Sequence, residues 1–100
     1  MGATTTILDE IGALIDAPSV DRAHVERTLT DGYAHALNLE AEQWRLKKRV
    51  EEITHALQRQ DDADARTKEL RALSRRLDGT AGDLSRLRTR LAELRTRVSA

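Results

Sequence analysis

Cysteine and phenylalanine are absent from this chain of 100 residues, and proline occurs once, at Pro18. Without cysteine, neither a disulfide nor a thiolate metal site can form. Aromatic side chains are limited to Tyr33 and Trp44, so the bulk that usually fills a compact globular core is missing. Net charge is missing too, because seventeen basic residues balance seventeen acidic ones. A chain dedicated to nucleic acid or to an anionic membrane surface would carry an excess of one sign. No run approaches the roughly 18–20 apolar residues needed to cross a bilayer, and no basic segment followed by an apolar stretch opens the chain. These absences predict a cytoplasmic protein with no membrane attachment.

What the chain does have is Leu, Ile, Val and Ala mixed with 34% charged residues. That is the composition of long amphipathic helices, and the length suits a single helical domain over residues 1–100. A first helix is expected over about 6–16, with Thr6 as N-cap, Asp9 completing a capping-box-like pair, and Ile7, Leu8, Ile11, Leu14 and Ile15 on one face. Pro18 ends it, since the residue before proline avoids helical geometry, and Ser19 or Asp21 caps the next helix.

One spacing then dominates. Val25, Leu29, Gly32, Ala36, Leu39, Gln43, Leu46, Val50, Ile53 and Leu57 alternate by four and three residues, a heptad seam. It predicts a second helix over about 20–59. After a polar turn over about 60–63, the spacing resumes at Leu70, Leu73, Leu77, Thr80, Leu84, Leu87, Leu91, Leu94 and Val98, predicting a third helix over about 64–98. Folding back at Asp61–Asp62 sets Ile53 against Leu70, Val50 against Leu73 and Leu46 against Leu77, and at the far end Val25 against Val98. In this register the small Gly32 and Ala36 meet the large Leu91 and Leu87, and the polar Gln43 meets the polar Thr80. One shared polar layer fixes register at some cost in stability. The expected fold is therefore all-α: an antiparallel two-helix coiled-coil hairpin with a short N-terminal helix packed at its open end. Gly79 and Gly82 each weaken the last helix by about 1 kcal/mol relative to Ala, but the seam keeps its phase through them, so a bend is expected there rather than a break.

Functional candidates are few. Tyr33, Leu37, Ala41 and Trp44 form a second apolar stripe off the seam. The first helix is expected to cover Tyr33 and to fall short of Trp44. Exposed Trp is enriched where interfaces are strongest, so Tyr33, Leu37 and Trp44 are read as a contact surface, most simply of a homodimer or of another protein partner. Glu52-Ile53-Thr54-His55 matches the Glu-x-x-His spacing of di-iron sites, but it occurs once and points away from the seam; His24 and His35 lie apart from it, so no metal or cofactor is expected. The last helix carries ten Lys and Arg residues between Arg66 and Arg97 against Glu69, Asp78, Asp83 and Glu93. They are spread round the helix with no aromatics between them for base stacking, which argues for seam salt bridges (Glu26 to Arg95, Arg88 over the Tyr33 ring) and against nucleic acid.

The turn, Asp61-Asp62-Ala63-Asp64-Ala65-Arg66, resembles the Asp-x-x-Asp tip of the Gre/DksA-type hairpins that enter the RNA polymerase secondary channel. The resemblance implies a transcription-modulating hairpin with Asp61 and Asp64 acting near the catalytic magnesium. It covers six residues; Ala65 and Arg66 are exchanged relative to that tip, and the family's zinc-ribbon cysteines or globular C-terminal domain are missing. No nucleophile–base pair, glycine-rich phosphate loop or convergent carboxylate set appears, so the sequence is read as a small interaction module rather than an enzyme.

Overall fold

The computed structural model describes residues 2–59 and 62–99, and the described residues form three helices joined by short connections: α1 Gly2–Asp16, α2 Arg22–Gln58 and α3 Ala63–Ser99. The molecule measures 60 × 17 × 16 Å, its long dimension matching the roughly 55 Å of a 37-residue helix at 1.5 Å per residue.

Local chemistry explains the helix ends. Ala17-Pro18 closes α1, and Asp21 caps α2 by accepting a 3.1 Å bond from the Ala23 amide. After α2, Asp62 adopts φ 53°, a left-handed conformation that Asp tolerates better than most residues. Its carbonyl accepts the Arg66 amide at 3.0 Å and starts α3. Asp61 lies outside the described residues.

α1 departs from expectation by starting at Gly2. Thr6 is therefore inside the helix and caps nothing. The added turn carries Thr4 and Thr5, poor helix formers, but Thr4 Oγ1 lies 2.7 Å from His35 Nε2 on α2, a tertiary contact that favours continuing the helix. α3 runs unbroken through Gly79 and Gly82, and no glycine among the described residues has a positive φ.

α2 and α3 pack along most of their length, and every predicted seam residue is buried or half-buried. The interior falls into two clusters. At the end near α1, Ile11 joins Val25, Ala36, Leu39, Leu84, Leu87, Leu91 and Leu94. Towards the bend, Leu46, Ile53 and Leu73 are buried, with Val50, Leu57, Leu70 and Leu77 packed around them. Between the two clusters in sequence lie Gln43, half-buried, and Thr80, buried. Contacts between the helices run in opposite order along them: Gly32 meets Leu91, Glu40 meets Arg88, Glu42 meets Arg76 and Arg49 meets Glu69. The first is so close that a Cβ at Gly32 would sit 2.5 Å from Leu91 Cδ2.

α1 packs on α3 and, less extensively, on α2. It does not take the expected place over Tyr33. Its N-terminal turn touches His35, while Leu8 and Asp9 border a groove with Ser85, Arg86, Thr89 and Arg90 of α3. Tyr33 and His35 differ by about 200° round a helix, so α1 lies on the opposite side of the seam. That side offers the small Thr28, which is buried with its hydroxyl bonded to the His24 carbonyl. The Arg97 guanidinium donates to the Ala17 carbonyl and ties the connection to α3.

Candidate interaction surface

Residues 33, 37, 41 and 44 are spaced by four and three, which keeps them on one narrow strip of a helix. With α1 on the other side, the strip lies open along its whole length. Leu37 is 65% exposed, Trp44 64% and Tyr33 41%; they are the exposed large apolar side chains among the described residues. The distance from Tyr33 to Trp44 is about 16 Å along the axis. Trp44 does not lie bare: the Lys48 ammonium sits 5.2 Å from the ring centroid. This cation–π contact is the attraction of an ammonium for the ring face, and Trp44, Lys47, Lys48 and Glu51 border a shallow depression.

The charged residues around the seam find partners that pattern reading did not assign. Glu26 pairs with Arg22, not with Arg95, and Arg88 pairs with Glu40, not with the Tyr33 ring. Long Arg side chains have several acids within reach, and spacing alone does not choose among them. The best-formed ion pair is Arg49–Glu69, in which one guanidinium nitrogen meets both carboxylate oxygens at 2.7 and 2.9 Å. The hydrogen bonds that Arg49 donates to Glu69, and secondly to Glu52, hold its pKa above the ordinary value. Arg66 joins the same carboxylate at 3.8 Å. Within α3, Arg86 pairs with Asp83 and Arg90 with Glu93. The Arg-rich helix thus has six arginines committed to carboxylates or to a backbone carbonyl.

The remaining candidates do not converge. Glu52 is taken by Arg49, and His55 is exposed. Among the described residues no three His, Asp or Glu side chains form a metal-holding group. Asp64 stands exposed in the first turn of α3, where a carboxylate complements the helix dipole; its companion Asp61 lies outside the described residues. Gln43 and Thr80 share no hydrogen bond, whereas other threonines bond back to a carbonyl of their own helix. The Thr4–His35 contact was not legible in the sequence, since a lone His on a helix flank carries no pattern. No helix among the described residues is long and apolar enough to cross a membrane.

No protein-family model matches this chain, and neither does any curated protein or solved structure.

Proposed function

We propose that α2 and α3 form an antiparallel coiled-coil hairpin and that the molecule is a small interaction module, not an enzyme, which self-associates through Tyr33, Leu37 and Trp44. The hairpin reading is supported by the cross-helix pairs. Arg49–Glu69 and Glu42–Arg76 occupy the flank positions just before the seam residues, and Glu40–Arg88 those just after, as one antiparallel register requires.

The observation that carries the functional reading is the exposure of all three large side chains on one strip, while the other large apolar residues are wholly or partly covered. Leaving Trp and Leu in water forgoes about 1.5–3 kcal/mol of burial each, and an aromatic anchor is the usual centre of a contact surface. Sedimentation of the intact chain over a concentration series tests this. The wild type should show a monomer–dimer equilibrium, and Trp44→Ala should shift it towards monomer; an unchanged distribution rejects the strip as the contact.

A further inference from the structure

Resting on that reading, we infer that the second copy docks on this strip antiparallel to the first, about a two-fold axis passing between Glu40 and Ala41. The argument is charge complementarity along the outward face of α2. Starting from Glu26, that face presents Thr30, Tyr33, Leu37, Ala41, Trp44, Lys48, Glu51 and His55, all exposed. Ala41 aside, its positions mirror one another about the Glu40–Ala41 step: Glu26 with His55, Thr30 with Glu51, Tyr33 with Lys48 and Leu37 with Trp44.

Laid parallel on a second copy, the face would set Glu26 on Glu26, Lys48 on Lys48 and Glu51 on Glu51, three like-charge layers. Laid antiparallel, Leu37 packs on Trp44 twice, and the Lys48 ammonium reaches the Tyr33 ring. Glu51 then meets Thr30, and Glu26 meets His55. Like charges facing each other repel, whereas a lysine over a tyrosine ring is attracted. An isologous pairing of this kind closes on itself and stops at two copies. Lys48, already 5.2 Å from the Trp44 ring, then lies between an aromatic ring from each molecule.

The chain has no cysteine, so single introduced thiols report the orientation directly. Thr30→Cys and Glu51→Cys are made separately on the full-length chain and oxidised alone or mixed. The antiparallel pairing predicts a disulfide-linked species chiefly from the mixture, and Ala41→Cys, beside the axis, should link to itself. Linkage of Thr30→Cys to itself at the rate of the mixture overturns the orientation while leaving self-association intact. A wild-type chain that sediments as a monomer at every concentration overturns both, and assigns the strip to a different protein. Lys48→Glu should raise the dissociation constant by about tenfold; no change contradicts the Lys48–Tyr33 layer.

Discussion

The two ends of the molecule follow the same leucine spacing and reach different degrees of burial. Near α1, Ile11, Val25, Leu87 and Leu94 are completely enclosed. Towards the bend Ile53 alone is completely enclosed, and Val50, Leu57, Leu70 and Leu77 stay half-buried. The difference is geometric. Two helices can shield only the line where they touch, and a third helix closes one flank. Where α1 is missing, that flank is bridged instead by Arg49–Glu69 and Glu42–Arg76. Partly exposed ion pairs add little stability, typically below about 1 kcal/mol, so they fix alignment more than they hold the arm shut. A periodic seam therefore sets where two helices meet, and a third helix determines how strongly.

Substitutions can break this contrast. Leu87→Ala, in the enclosed core, should cost about 2–5 kcal/mol in chemical denaturation. Leu77→Ala, in the half-buried arm, should cost distinctly less; equal losses would mean that α1 adds nothing to burial. Replacing Gln43 and Thr80 together by Leu should join the two apolar clusters and raise stability by about 1–2 kcal/mol. A fall in melting temperature would contradict a shared layer.

Glycine separates close packing from open helix. A methyl group added at Gly79 would have no neighbouring side chain within 4 Å, so Gly79→Ala should stabilise by about 1 kcal/mol through helix propensity. Gly32→Ala should lose that gain against Leu91, which is packed and has little room to yield. Thermal melts of the two variants against wild type check the contrast. The smallest effect is expected for Arg49→Ala, a slight loss in melting temperature that shrinks further as salt is added.

The seam was legible because burial on one helix face imposes a strict period on residue type, and the phase through Leu77, Thr80 and Leu84 correctly indicated a continuous α3 despite its glycines. Trp44 is exposed, but not because α1 falls short of it: α1 lies on the other flank and leaves Leu37 equally open. The side on which α1 lies was not legible. Both flanks of a seam are equally near to a short N-terminal helix, and neither linker length nor the small residues on the seam distinguishes them. The occupied flank is marked by Thr28 and His35, a small residue and a polar one, whose contribution depends on shape and on a partner hydroxyl 31 residues away. The start of α1 was misjudged for the same reason: Thr6 has the chemistry of a cap, but a contact made by Thr4 extends the helix past it.

The central claim is that both leucine ridges close on each other inside one chain, leaving the Tyr33–Leu37–Trp44 strip free. Glu26 and Arg95, exposed neighbours of the enclosed Val25 and Leu94, give the most direct reading when both are changed to Cys, spin-labelled and measured by dipolar spectroscopy. A short distance that persists when labelled chain is diluted into excess unlabelled chain is the predicted result. Loss of that short distance on dilution would show the ridges engaged between different molecules and would contradict the account.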